Sequence, residues 1–187
     1  NDFTTKFTNN VGRGPYMWIN WPCTDNSKKH LIMGGYTTFL HPGVDPNKIQ
    51  GIVLNPMQQS EPSKVAIFGN ACYSWNIWQN EEEAQKCWNA SFKYVDHNSA
   101  IETQASAALR ELSKHMINQN MDGRVTALQE SVDLKDRLTS FKEALTNGTT
   151  ISDEQFKDLI NEFTILKNAS ATYRAQAGDT RIKDQIV

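Results

Sequence analysis

Tyr16-Met-Trp-Ile-Asn20 runs directly into Trp21-Pro22, and Gly51-Ile-Val-Leu54 runs into Asn55-Pro56. Aromatic and β-branched residues favour strands, and the Asn and Pro that follow end them. A helix start with Pro in its first turn comes next, at Ser60-Glu61-Pro62. Strands that alternate with helices predict an α/β fold for the first half of the chain.

Two helices are expected after the second strand. The first has a predicted buried stripe at Val65, Phe68, Cys72 and Trp75, and an acidic-led helix follows over Glu81 to Tyr94. Between the strands, residues 21–50 hold three Gly, three Pro and little periodicity. A connection of that length is commonly functional in a compact domain.

The second half has a different composition. All five Trp and all six Pro lie before residue 89, and helix-forming residues dominate from residue 98 onward. We therefore expect residues 1–97 to form an α/β unit and residues 98–187 an antiparallel helical bundle. Three apolar stripes define its helices: Ile101, Ala105, Ala108, Leu112, Met116; Leu134, Leu138, Phe141, Leu145; and Phe156, Leu159, Phe163, Leu166. Asn147-Gly148 predicts a helix end, and Ser152 with Gln155 predicts a capping box.

Composition and charge exclude several classes of function. The formal net charge of −2 argues against a basic nucleic-acid-binding module, and no apolar stretch approaches the length of a membrane span. Three cysteines, with no CxxC pair, predict mostly buried thiols rather than a disulfide framework. The four histidines lack the spacing of a metal motif, so we expect no metal and no cofactor.

The candidate site follows from the strand ends. In parallel α/β folds ligands bind outside the carboxyl ends of the strands, which places Asn20 and Asn55 in one cleft. Asp25 follows on the first loop, and Trp18 shares a strand face with Asn20. A carboxylate, two carboxamides and an indole suit a neutral sugar. The same residues also fit plain turn and capping roles.

Two stretches carry a family resemblance. Trp18-Ile-Asn-Trp-Pro-Cys-Thr-Asp25 and Gly51-Ile-Val-Leu-Asn-Pro-Met-Gln-Gln-Ser-Glu-Pro-Ser-Lys-Val-Ala-Ile-Phe68, followed by Tyr73-Ser-Trp-Asn76, resemble glycoside hydrolase family 84. This family comprises β-N-acetylglucosaminidases, including bacterial enzymes described as hyaluronidases and the O-GlcNAc hydrolases. The resemblance is strong over residues 14 to 78 and only architectural beyond about residue 99.

The resemblance implies that residues 1–97 are the last strand units of a (β/α)8 TIM barrel and that residues 98–187 are the helical domain after it. It also implies a retaining, substrate-assisted mechanism that uses two adjacent Asp residues. No Asp-Asp dipeptide occurs in this sequence, so we expect no catalytic residue here. What carries over is sugar binding, with Trp18 in the pocket wall and Asn20, Asp25 and Asn55 bonding the sugar. The expected partners are an N-acetylglucosamine-containing glycan and the remainder of the barrel, and the expected location is secreted.

Two alternatives stay open. The chain could be a non-catalytic glycan- or protein-binding helical module, which exposed apolar residues on the bundle would favour. It could also be one piece of a cleaved enzyme whose other piece completes the barrel. In that case Val53, Ile19 and their neighbours would be uncovered at open sheet edges.

Overall fold

The computed structural model describes residues 2–25, 30–34, 39–116 and 131–186. This part of the chain contains seven α-helices and two strands. In chain order they are α1 (Asp2–Val11), β1 (Tyr16–Ile19), β2 (Gly51–Leu54), α2 (Ser60–Trp75), α3 (Glu81–His97), α4 (Gln104–Ser113), α5 (Val132–Asn147), α6 (Asp153–Gln176) and α7 (Thr180–Ile186).

The two predicted strands are confirmed and pair in parallel. Trp18 lies opposite Val53, and β1 ends at Ile19, one residue before the expected Asn20. Met17 and Ile19 lie on the face that joins the hydrophobic core, whereas Trp18 on the other face is 66% exposed. Ile19 is therefore covered, contrary to the expectation of an open edge, because the face of β1 on which it lies packs on the rest of the chain. Val53 is partly open, at 38% exposed.

The segment between the strands packs more closely than its composition predicts. Trp21, Ile32, Met33 and Leu40 are all buried. The indole nitrogen of Trp21 donates to the carbonyl of Gly34 at 2.8 Å. Because these side chains belong to the core, the described parts of this segment, residues 21–25, 30–34 and 39–50, are anchored by packing despite their lack of periodicity.

Helix α2 begins at the predicted residue, but its buried face is only partly as expected. Val65 is buried, whereas Trp75 is 92% exposed. Tyr73 takes the buried position in the last turns, in phase with Val65 and Gly69. Gly69 packs against Trp21, where an added Cβ would lie 3.0 Å from the ring. The face of α2 that is buried therefore depends on packing against the Trp21 ring, which the apolar spacing within the helix does not reveal.

Helix α3 is capped at both ends. The Asn80 side chain accepts from the backbone N–H of Glu83, and three glutamates fill the first turn, where they complement the helix dipole. The helix runs to His97, beyond the expected end at Tyr94, and Asn98 closes it in the left-handed conformation.

Helix α4 is shorter than its apolar stripe. Thr103 and Ser106 form a capping box, so Ile101 lies before the helix and is 75% exposed. Met116 lies after the helix end at Ser113. Ala105 and Ala108 are buried as expected. The capping box therefore sets the start of α4, and Ile101 and Met116, two residues of the expected stripe, lie outside the helix.

In the second half of the chain, the predicted end of α5 and start of α6 are confirmed, but the predicted inward face of α6 is wrong in part. Gly148 in the left-handed conformation ends α5, and Ser152 with Gln155 forms the predicted capping box of α6. Phe156 and Phe163 were expected to face inward, yet they are 50% and 48% exposed. The buried residues of α6 are Leu159, Ala169 and Tyr173, and α6 packs against α4.

One hydrophobic cluster joins both halves of the chain. It includes Trp88 and Phe92 from α3, Leu109 from α4 and Tyr173 from α6. The domain boundary at 97/98 and the antiparallel three-helix arrangement stay predictions. Of the helices described, none is both long and apolar enough to cross a membrane.

A buried carboxylate ties the carboxyl-terminal segment to α3. Asp96 has a fully buried side chain, and its two oxygens accept from the backbone N–H of Gly178 at 3.1 and 3.2 Å. A Cβ at Gly178 would lie 2.6 Å from the His97 ring and 2.7 Å from the Asp96 carbonyl oxygen. Only glycine fits this approach, after which Ile182 of α7 inserts into the core.

Candidate sugar-binding site

The carboxyl ends of the two strands lie side by side, as the sequence predicts. The Asn55 backbone N–H donates to the Ile19 carbonyl at 2.8 Å, which extends the strand pairing by one step. This bond places Asn20 and Asn55 next to each other at the end of the sheet. Trp18 precedes them on the same exposed face of β1.

Hydrogen bonds to Asn20 join three of the four expected residues. Oδ1 of Asn20 accepts from the indole nitrogen of Trp18 at 2.7 Å and from the amide nitrogen of Asn55 at 3.3 Å. These two bonds orient the Asn20 carboxamide, with its oxygen toward its neighbours. We call Trp18, Asn20 and Asn55 the strand-end cluster.

The strand-end cluster retains groups that could hold a polar ligand. Within the described residues, no hydrogen bond engages the amide nitrogen of Asn20 or the side-chain oxygen of Asn55. One group is a donor and the other an acceptor, which is the pair that a sugar hydroxyl requires. The exposed Trp18 ring adds an apolar plane beside them.

Asp25 lies on the loop after β1, with an exposed side chain. It approaches Cys23, whose pKa is raised mainly by burial of the thiol and further by the Asp25 carboxylate. No hydrogen bond joins Asp25 to the strand-end cluster among the residues described. The loop between them includes a cis peptide bond at Trp21-Pro22. The structure thus brings three of the four expected residues into direct contact and places the fourth on the adjoining loop.

A buried polar network fixes the chain on either side of the strand-end cluster. The hydroxyl of Ser63 accepts from the Met57 backbone N–H at 3.1 Å and donates to the Gln59 carbonyl at 2.8 Å. Sulfur of Met57 accepts from the Ile32 backbone N–H at 3.3 Å. These bonds connect the segment after Asn55 to α2 and to the loop after β1.

A second indole anchors the same loop from α3. The indole nitrogen of Trp88 donates to the Met33 carbonyl at 2.6 Å, one residue from the Gly34 carbonyl that Trp21 engages. Sequence reasoning missed both anchors, together with Ser63. The concentration of Trp in the first half was the available signal, but their carbonyl partners lie 13 and 55 residues away in the chain.

An open cavity of about 320 Å³ lies at the other end of the sheet. It is next to the start of β2, and its lining includes Gly51, Tyr73, Trp75 and Asn76. Burial raises the pKa of the Tyr73 hydroxyl to about 12, and that hydroxyl donates to the His41 carbonyl. We assign no sugar site here, because parallel sheets bind ligands at the carboxyl ends of their strands.

In parallel α/β proteins ligands bind outside the carboxyl ends of the strands, which is where the strand-end cluster lies. A comparison with protein families identifies which family of such proteins the chain matches. The family model described as beta-N-acetylglucosaminidase matches residues 1–114, which is more than half of the chain. The chain belongs to this family, the glycoside hydrolase family 84 type.

Solved structures of the family resemble the whole chain. CpGH84D is 30% identical with a TM-score of 0.78, over 99% of this chain and 29% of its own. CpGH84B is 21% identical with a TM-score of 0.71, over 99% of this chain and 30% of its own. A variant O-GlcNAc hydrolase from Thermobaculum terrenum is 16% identical with a TM-score of 0.63, over 99% and 36%. The latter two likenesses concern the fold. The chain spans about a third of the length of these structures.

Proposed function

We propose that this chain is part of a retaining β-N-acetylglucosaminidase and supplies residues that hold the sugar. The observation that supports this most directly is the strand-end cluster, in which Trp18 and Asn55 both donate to Asn20. It consists of three of the four residues for which the family resemblance implies a sugar-binding role. The proposed substrate is a glycan or glycoprotein with terminal N-acetylglucosamine, and we expect the protein to be secreted.

The proposed division of labour follows from the side chains present. In the family's substrate-assisted mechanism, the sugar's own acetamide oxygen attacks the anomeric carbon, and an adjacent Asp pair orients the amide and protonates the leaving oxygen. The sequence contains no Asp-Asp pair. We therefore assign those steps to the rest of the parent protein, and sugar positioning by Trp18, Asn20, Asp25 and Asn55 to this chain.

The two faces of the sheet support placing β1 and β2 in a (β/α)8 barrel. Met17 and Ile19 face the packed helices, as the outward residues of barrel strands do. Trp18 is 66% exposed and Val53 38% exposed on the opposite face, which would point into a barrel. Further parallel strands beside β1 and β2 would cover these side chains and enclose the strand-end cluster.

Hydrolysis of an aryl β-N-acetylglucosaminide by the parent polypeptide tests this proposal. A hydrogen bond to a charged group contributes about 1.5 to 3 kcal/mol, so we expect Asp25→Ala to lower kcat/KM by about 10- to 150-fold. Asp25 is exposed, and the free energy of unfolding should change by less than about 0.5 kcal/mol.

Asp184→Ala is the matched control, because Asp184 is an exposed aspartate far along the chain, on α7. It should leave hydrolysis unchanged. A parent polypeptide that folds but does not hydrolyse the substrate, or an Asp25→Ala variant that loses activity only in proportion to its folding stability, would contradict the proposal.

A non-catalytic helical module is the second candidate, and exposed apolar side chains favour it. Leu145 is 66% exposed, and Phe156 and Phe163 are about half exposed. An open cavity of about 420 Å³ lies between α5 and α6 and is lined in part by Phe141 and Leu159. If this face binds glycan, Phe163→Lys should abolish retention on N-acetylglucosamine beads while Asp25→Ala leaves it intact. The first candidate predicts the reverse.

A further inference from the structure

A group of metal-ligating side chains lies outside the candidate sugar site, where α4 meets α6. Glu111 is in the last turn of α4, His115 follows the helix end, and Glu162 is on α6. One ligand atom of each residue lies within 4.8 Å of the others. Nε2 of His115 is 3.5 Å from Oε1 of Glu162.

In the part of the chain that the structure describes, the His115 ring lacks the hydrogen-bond partners that a buried imidazole normally has. Its side chain is 11% exposed, and neither ring nitrogen is accessible or makes a hydrogen bond in the described structure. Buried polar atoms in folded proteins are almost always satisfied by protein, water or an ion. Among the described residues, the Glu162 carboxylate pairs with the ring, and the two side chains are placed to ligate one ion together.

Each glutamate is held through one oxygen by a basic side chain. Lys114 contacts Oε2 of Glu111 at 2.6 Å, and Arg137 contacts Oε2 of Glu162 at 3.3 Å. Oε1 of Glu162 lies toward His115. Outer contacts of this kind orient metal-ligating carboxylates, and the two positive charges also moderate the attraction for a divalent cation.

We propose that Glu111, His115 and Glu162 bind a divalent transition-metal ion, Zn²⁺ being the best fit. One imidazole and two carboxylates suit Zn²⁺, whereas Ca²⁺ and Mg²⁺ prefer sites made of oxygen atoms alone. Because the ligands come from both sides of the α4–α6 contact, the ion would link these helices. This inference is independent of the proposed sugar site.

Titration of the metal-free chain with Zn²⁺ alone tests the proposal by calorimetry and by thermal unfolding. We expect one ion bound per chain and a rise in Tm that a chelator reverses. His115→Ala and Glu162→Gln should each weaken Zn²⁺ binding by at least about tenfold.

The matched controls are His41→Ala and Glu154→Gln, which alter exposed side chains of the same types. Both should bind Zn²⁺ as the unaltered chain does. Absence of binding by the unaltered chain, or equal binding by His115→Ala and the His41→Ala control, would overturn the proposal. Either result would leave His115 and Glu162 as an ion pair only.

Co²⁺ provides a readout that does not depend on stability. We expect the folded chain to give the visible absorption of Co²⁺ with a nitrogen ligand, and Glu162→Gln with an unchanged circular dichroism spectrum to weaken it. A spectrum identical to that of Co²⁺ in buffer would contradict coordination by His115.

Discussion

The indole nitrogen of Trp18 in β1 lies 2.7 Å from Oδ1 of Asn20, the residue that directly follows the strand. The same oxygen accepts from Asn55 across the strand pair. A carboxamide with its oxygen occupied by two donors presents its amide nitrogen in a fixed direction. This fixed donor, beside an exposed aromatic ring, is the basis of the proposed sugar contact.

Substitution of Asn20 should lower sugar affinity and leave the free energy of unfolding nearly unchanged. Asn20→Ala removes the shared acceptor and the amide donor, and we expect sugar affinity in the parent polypeptide to fall by about tenfold, the equivalent of one hydrogen bond. The groups involved are exposed, so unfolding free energy should change by less than about 1 kcal/mol. Urea denaturation and inhibition by N-acetylglucosamine measure the two effects, with exposed Asn161→Ala on α6 as control. A loss of stability without loss of affinity would contradict this role.

Asp96 should matter for stability rather than for sugar binding. Asp96→Asn replaces one of two buried oxygens that accept from the Gly178 N–H, and brings an amide N–H toward the same donor. We expect a loss of about 1 to 3 kcal/mol in unfolding free energy. The urea midpoint measures it, and the exposed Asp184→Asn should show no change. Equal midpoints for the two variants would show that the Asp96–Gly178 contact contributes little.

Protonation of the Asp179 carboxylate should lower the stability of the fold in acid. Hydrogen bonds from the Arg181 guanidinium, with a further contribution from Lys64, hold the pKa of the Asp179 carboxyl well below its usual range. A group with a depressed folded-state pKa stabilises the fold above its unfolded-state pKa, about 3.9, and loses that contribution as pH falls further.

Unfolding measured between pH 7 and pH 3 checks this expectation. At pH 7, Asp179→Asn should be less stable than the unaltered chain because it loses the charged contacts with Arg181. The loss should be only about 1 kcal/mol, since Arg181 is largely exposed and solvent screens the pair. The difference should shrink as pH falls below 4. A difference that stays constant over this range would mean that the Asp179 charge is not responsible.

The thiols should differ in reactivity from those of an unfolded chain. All three cysteines are free. Burial, together with the adjacent Cys72 thiol, raises the pKa of Cys87, and burial raises that of Cys23. The thiolate is the reactive form, so iodoacetamide at pH 8 should label Cys23 and Cys87 at least about tenfold more slowly in the folded chain than in guanidinium. Peptide mass spectrometry would reveal the contrary result, equal rates in both states.

Local signals predicted the elements that depend on local chemistry. The strands at residues 16 and 51, the helix start at Ser60 and the capping box at Ser152 all follow from residue types a few positions apart. Helix faces were less predictable because the neighbouring element decides them. Trp75 and Phe156 fit an apolar stripe, yet α2 turns Tyr73 inward and α6 buries its later turns.

The pairing of Trp18 with Asn20 could be predicted because the two residues lie two positions apart at the end of a strand, although β1 itself stops at Ile19. Trp18 and Asn20 share a face because strand side chains alternate, and Asn55 joins them through the parallel register. The proposed metal ligands escaped sequence reasoning because Glu162 is far in sequence from His115 and approaches it only through packing of α6 on α4. The spacing of Glu111 and His115 alone has no metal signature.

We claim that this chain by itself presents a surface for N-acetylglucosamine, and the indole N–H resonances of the ¹⁵N-labelled chain report on such binding. On addition of the sugar at high millimolar concentration, the Trp18 resonance should shift in a saturable manner, and Asp25→Ala should weaken that binding. The Trp75 resonance should not move, because Trp75 is exposed at the other end of the sheet. A Trp18 resonance that stays fixed, or moves only together with that of Trp75, would contradict the claim.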